Sequence, residues 1–451
     1  MKHGNGLLKR LLACTLAVCT CTAFMASCGS GDSSSDASSS AETSAPEADS
    51  SVAETTTASE ESEPEPVTPI DVEQGATDEM LERAYLYNGD LSRLAAVIAR
   101  AQESEFNTTN ICYFGDSISA GSGATSGAKS YGTLFKKWWE ENISINVQVQ
   151  QQSIGATDSY LAVHRFKGDV AEVDCLPTLD GMQGPQIIII EYINDENTPF
   201  YKETMDSLVR MALSLESNPA VIILEPTCDN GASPQDQHIE VAKHYNVPFI
   251  SYHDAVMPEI EKGSIKWEEI SNDTVHPNNP GHAMIAQMLE GLINYTIDNM
   301  DTIGTDVTPF DPETESLTGD KYANADRADR VRTIDTVVCV DEGSFTEQSA
   351  KQWPYINDYA TFNGGSSTWE ITAQNIGIAY YKTTNGLTGK ATITVDGKEV
   401  TTLDGDFPGG WGNYTEVESI YTGDKTEKHT VTVTVPEGEA DDFYILSWLV
   451  S

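Results

Sequence analysis

The chain has 451 residues, 39% of them apolar, with 70 Asp and Glu against 26 Lys and Arg and a formal net charge of −44. That length spans about two or three domains, and the apolar share is too small for all of it to be packed core. Nucleic acid is excluded as a partner, because a phosphate-binding face needs clustered Lys and Arg and no such cluster follows Arg10.

Residues 1–27 carry the pattern of an export signal. Lys2, Lys9 and Arg10 are followed by an apolar stretch from Leu11 to Met25, then Ala26 and Ser27. Met25-Ala26-Ser27-Cys28 resembles the bacterial lipobox, with Met25 where Leu is usual. The resemblance implies lipid attachment at Cys28 and anchoring at the extracellular face of the bacterial cell membrane. Residues 28–69 are mostly Ser, Thr, Glu, Ala, Asp and Pro, with no Lys or Arg. Such a segment cannot bury enough apolar surface to offset its ordering entropy and is expected to be a disordered tether.

Residues 70–300 alternate strand-like and helix-like segments. Ile111 to Phe114 is a short apolar run, Tyr131 to Glu141 is amphipathic, and Val147 to Gln151 alternates. Ile187 to Ile190, Val221 to Leu224 and Pro248 to Ile250 read as strands buried on both faces. Met205 to Leu215 and Gly281 to Ile297 have helical spacing. The alternation predicts a parallel sheet covered on both sides, with reactive groups at the strand C-terminal ends. Residues 301–320 read as a linker or wrapped loop. From 321 to 451 short strands with polar turns predict a β-sandwich, jelly-roll-like, with a hairpin at Asp396-Gly397.

Eight cysteines give neither a disulfide framework nor a zinc site. Four lie in the signal, counting Cys28, and Cys112, Cys175, Cys228 and Cys339 are widely spaced and read as small buried hydrophobes.

The chemistry concentrates in four segments. Gly115-Asp116-Ser117 follows the first predicted strand, where a tight turn can hold the Ser hydroxyl toward a cleft. A Ser nucleophile needs a base, and the base needs a group that fixes its tautomer. Asp273 and His276, within Asp273-Thr274-Val275-His276-Pro277, supply both types on one turn. A tetrahedral intermediate needs preorganised donors. Gly155 follows the second strand and offers a backbone N–H, and Asn194 follows the isoleucine run and offers a side-chain amide.

These four segments, in this order, resemble the nucleophile, second, third and last blocks of the SGNH/GDSL hydrolase family, from about residue 90 to 295. Asp90-Leu91-Ser92-Arg93-Leu94-Ala95 and Ile154-Gly155-Ala156-Thr157 resemble bacterial members with carbohydrate esterase activity. The resemblance implies a flavodoxin-like α/β/α fold and an acyl-serine mechanism without metal or cofactor. Ser117 would be the nucleophile, His276 its base and Asp273 the orienting group. The Ser117 N–H, the Gly155 N–H and the Asn194 amide would form the oxyanion site. Tyr192 stands where the third block usually has Gly, and is read either as narrowing an acyl pocket or as core. The expected reaction is removal of O-acyl groups, O-acetyl above all, from a polysaccharide. A lipase-like or thioesterase-like activity is the alternative within enzymes, and a glycan-binding lipoprotein with an unused site is the alternative outside them.

In the C-terminal region Trp353, Trp369, Tyr380, Tyr381, Trp411, Tyr414 and Trp448 are large aromatics that can either pack a core or stack on sugar. Trp448 is expected in the core among Ile445, Leu446, Leu449 and Val450. Trp411, flanked by glycines, is expected on an exposed loop and is the candidate for glycan contact.

Overall fold

Four consecutive isoleucines, Ile187 to Ile190, occupy the middle strand of the first sheet and are fully buried. The computed structural model describes residues 67–104, 106–173, 184–348, 359–438 and 440–451. The signal segment, Cys28, nearly all of the tether, Cys175 and Trp353 lie outside the described residues.

The first sheet has β1 (Thr109–Gly115), β2 (Val147–Gln151), β3 (Ile187–Glu191), β4 (Ala220–Glu225) and β5 (Phe249–Ser251). They are parallel and run in the order β2-β1-β3-β4-β5, the flavodoxin-like winding. Before, between and after them lie α1 (Asp78–Ala84), α2 (Ser92–Glu103), α3 (Tyr131–Asn142), α4 (Ser159–Phe166), α5 (Pro199–Leu213), α6 (Gln235–Tyr245), α7 (Tyr252–Lys262), α8 (Trp267–Ile270) and α9 (Asn279–Asp298). Successive strand side chains point to opposite faces. Ile111, Tyr113, Ile187, Ile189, Ile222 and Leu224 therefore pack with α1, α2, α3, α7 and α9. Cys112, Phe114, Ile188, Ile190, Val221 and Ile223 pack with α4, α5 and α6.

Polar residues set the helix ends near the strand tips. Asp158 caps α4 by accepting from the Leu161 N–H, and Asn278 caps α9 by accepting from Gly281. Residues 308–318 wrap across the helices: the Thr318 N–H and hydroxyl both donate to Asp206 of α5, and His244 of α6 bonds the Glu315 carbonyl.

The C-terminal region is antiparallel: β6 (Asp326–Ala328), β7 (Val337–Asp341), β8 (Thr346–Glu347), β9 (Tyr359–Thr361), β10 (Gly365–Lys382), β11 (Lys390–Val395), β12 (Lys398–Asp404), β13 (Tyr414–Val435) and β14 (Phe443–Val450). Two strands are far longer than the sequence reading expects. β10 and β13 pair along their whole length, with register shifts between Ala373 and Asn375 and between Ile376 and Gly377. The shifts break the alternation and bend the sheet. The other edge of β10 pairs with β7 before the bend and with β14 after it. Trp369, Ile371, Ile376, Ile378 and Trp448 fill the core so enclosed. The β11–β12 hairpin turns at Asp396 and Gly397, both at positive φ, as the sequence reading expects.

The outer faces of β10 past the bend and of β14 cover the α4 side of the first sheet. Ala379, Leu446 and Leu449 share one apolar cluster with Tyr160 and Leu161 of α4. Gly377 lies against the Tyr160 phenol, where any Cβ would collide.

Candidate active site

The first strand delivers Ser117 to a crevice. A Cβ on Gly115 would come within 2.5 Å of the Ser119 hydroxyl and 2.6 Å of the Glu191 carbonyl, so this turn closes only on glycine. Asp116 folds back to accept from the Ile118 N–H at 3.1 Å. The Ser122 N–H donates to the Ser117 carbonyl at 2.9 Å. Ser117 thus sits beyond the C-terminal end of β1, beside β3, where the winding direction of the sheet reverses. Open α/β sheets place ligands there.

The loop between α8 and α9 brings His276 to Ser117. The Trp267 indole N–H donates to the Asp273 carbonyl at 2.6 Å, and the Ser271 hydroxyl sits 2.6 Å from the His276 carbonyl. Asp273 Oδ1 accepts from the N–H groups of Val275 and His276 at 2.8 and 2.7 Å. Its Oδ2 lies 2.8 Å from His276 Nδ1, and His276 Nε2 lies 2.9 Å from Ser117 Oγ. Partial burial works against the charge of Asp273, but the two backbone donors and the imidazole outweigh it and hold the carboxyl below its ordinary value. With Nδ1–H on the carboxylate, the Nε2 lone pair faces the Ser117 hydroxyl.

Gly155 packs directly on the nucleophile, its notional Cβ 3.4 Å from Ser117 Cβ. The backbone N–H groups of Ser117 and Gly155 have no protein acceptor among the described residues. Asn194 is at the same crevice but is more committed. Its Nδ2 donates to Asp116 Oδ2 at 2.7 Å and to the Thr157 carbonyl at 3.0 Å. An oxyanion must share one of these N–H groups.

Tyr192 does not line the crevice. It is 1% exposed, edge-on to Phe114, with its hydroxyl 3.4 Å from Arg165 Nη2. The pleat sends it to the α4 face, so the reading as a substrate contact is corrected and the core reading stands. Trp411 is 70% exposed, stacked on Tyr414 at 5.0 Å and edge-on to Phe407. Cys112 is core, whereas Cys228 and Cys339 are only partly buried. Burial, then Asp229, pushes the Cys228 thiol above its ordinary value.

Two buried groups near the site escape the sequence reading. Glu191 ends the isoleucine strand and is 0% exposed. His238 of α6 is held between Glu225 at 2.8 Å and Asp195 at 3.1 Å. The available signal for Glu191 was a carboxylate closing an apolar strand, an expensive group to bury without a task. His238 had none beyond its place on an amphipathic helix.

No protein-family model and no curated protein matches the sequence. Among solved structures, the chain is similar to a two-domain esterase active on acetylated mannans, at 27% identity and a TM-score of 0.69. The match covers 82% of this chain and 98% of that one. The same esterase co-crystallized with mannopentaose matches equally, over 97% of its chain. A lipolytic protein of the G-D-S-L family from Desulfitobacterium hafniense matches over 41% of this chain, at 16% identity and a TM-score of 0.31. The chain shares the two-domain architecture of that esterase, a parallel α/β layer followed by an antiparallel β-domain. Ser117 and His276, in the segments that resemble the SGNH/GDSL nucleophile and last blocks, are distant in sequence and meet within hydrogen-bond reach.

Proposed function

We propose that the protein is a serine esterase that removes O-acetyl groups from a polysaccharide. The observation that carries the reading is the continuous hydrogen-bonded line from Asp273 through His276 to Ser117, beside two uncommitted N–H groups. Ser117 Oγ bonds to the ester carbonyl carbon while its proton passes to His276 Nε2. Asp273 steadies the resulting imidazolium. The Ser117 and Gly155 N–H groups, with the Asn194 amide, receive the negative oxygen, each donor worth about 2.7–4 kcal/mol. Collapse breaks the bond to the sugar oxygen, which takes the proton from His276. Water then attacks the acetyl-serine with His276 again as base, releasing acetate.

The glycan preference is supported by the similarity to an esterase active on acetylated mannans. It is also supported by the aromatic platform of Trp411, Tyr414 and Phe407. The Tyr414 hydroxyl donates to Glu416, which fixes the orientation of that ring. Lipid anchoring through Cys28 at the extracellular face of the membrane would hold the enzyme where such polymers occur. Labelling by a fatty-acid analogue, absent in Cys28→Ala, tests the anchor.

Acetate release from acetylated mannan, measured beside hydrolysis of a long-chain p-nitrophenyl ester, tests the substrate class. Release from the polymer with slow long-chain turnover is expected. The reverse order would favour a lipase-like activity. Because His276 supplies the activation of Ser117, a chelator is expected to leave the rate unchanged, and a loss restored by zinc or calcium would contradict metal independence.

A further inference from the structure

Two turns carry the reacting groups, residues 115–119 after β1 and residues 192–195 after β3. Their spacing decides how far Asn194 stands from Ser117, and a buried carboxylate bridges them. Glu191 Oε2 accepts from the Ser119 N–H at 3.0 Å and from the Ser119 hydroxyl at 2.7 Å. Its Oε1 accepts from the Ile193 N–H at 3.1 Å, and its carbonyl accepts from the Asp116 N–H at 3.2 Å. Asp116 reaches the opposite way, taking the backbone and side-chain N–H groups of Asn194 on Oδ2. The two carboxylates therefore cross-brace the turns, one from each side.

The brace is anchored further. The Ser119 hydroxyl is 2.6 Å from the Tyr131 phenol, and Gln151 Nε2 donates to the Ser119 carbonyl at 2.9 Å. No Lys or Arg side chain is bonded to Glu191 or Asp116 among the described residues. Burial, then the charge of Glu191, pushes Asp116 well above the ordinary carboxylate range. Two like charges this close do not both persist in a buried site, which favours a proton held between them. A pair so arranged is costly to bury and is retained only where it fixes geometry.

We propose that Glu191 is a positioning residue that sets the separation between the nucleophile turn and the Asn194 amide, and so acts on catalysis through Asn194. The inference rests on the serine-esterase reading above. It touches neither substrate nor reacting atoms. Glu191→Gln keeps the volume but replaces one acceptor with a donor facing an N–H, so one turn must shift. Small displacements of reacting groups cost up to about 10²-fold.

The test is a double-mutant cycle on p-nitrophenyl acetate with E191Q, N194A and the pair, with melting temperatures recorded for each. E191Q is expected to lower kcat between about 10- and 100-fold with KM little changed. On the N194A background the further loss should shrink to less than about threefold, because the amide that Glu191 positions is already gone. S119A, which removes only the hydroxyl contact, should move kcat the same way by a smaller factor. Equal losses on both backgrounds would overturn the proposal, as would a lowered melting temperature with kcat intact in both E191Q and S119A. A fluorophosphonate separates the two levels. An unlabelled wild type overturns the esterase reading itself, whereas a labelled wild type and an equally fast E191Q overturn only the role of Glu191.

Discussion

Asp169 and Arg327 form an ion pair of 3.0 Å that is almost completely buried, and the same carboxylate binds Arg165 at 3.0 Å. Arg165 lies under the first sheet against Phe114, whereas Arg327 lies on β6 and pairs with β14. One carboxylate thus joins the parallel-sheet layer to the C-terminal sheet. Together with the apolar cluster shared by Tyr160, Ala379 and Leu449, it ties the two layers into one compact unit.

Asp169→Ala removes the carboxylate that buried Arg165 and Arg327 share, while Arg327 keeps the longer contact to Asp329 at 3.7 Å. Breaking a buried pair from one side costs about 3–5 kcal/mol. Thermal unfolding should show one transition, at a markedly lower temperature than wild type. An unchanged midpoint would show that the pair does not hold the layers together.

His238 predicts a pH dependence of stability. Burial alone would lower its pKa, but Glu225 and Asp195 outweigh that and raise it from 6.5 to about 10. A folded value above the unfolded one means that the contribution is complete below about pH 6.5 and is lost as pH rises through about 10. The melting temperature of wild type should fall across that window, and His238→Gln should flatten the fall. Parallel curves for the two proteins would contradict the assignment.

Trp411→Ala separates polymer binding from chemistry. If the exposed indole stacks on sugar, pull-down with acetylated polymer weakens by a factor of several while p-nitrophenyl acetate turnover stays constant. Equal damage to both would mean that the loop shapes the crevice instead, and no change in either would remove Trp411 from substrate contact.

The sheet was largely legible because β1, β3 and β4 contain continuous apolar runs and β2 alternates, and a parallel sheet brings the strand C-terminal ends together. That alone puts Ser117, Gly155 and Asn194 in one crevice, and the short spacing from Asp273 to His276 lets one turn present both. What the sequence hides is contact between loops. Asn194 reads as a free amide until Asp116 and the Thr157 carbonyl are seen to engage it. Tyr192 reads either as a pocket residue or as core until the pleat assigns it to the face of Phe114. The long β10 reads as short pieces because its register shifts near Asn375 break the alternation. Trp411 was legible from its flanking glycines, since no packed strand tolerates that many.

The central claim is that Ser117 is the nucleophile, and site-resolved labelling tests it most directly. Wild-type protein treated with a fluorophosphonate should gain one adduct, mapped by peptide mass spectrometry to Ser117. Ser117→Ala should gain none and lose nearly all turnover on p-nitrophenyl acetate while keeping its melting temperature. His276→Ala should be almost as inactive, because the pair acts as a unit. An adduct on another residue, or substantial turnover by folded Ser117→Ala, would contradict the account.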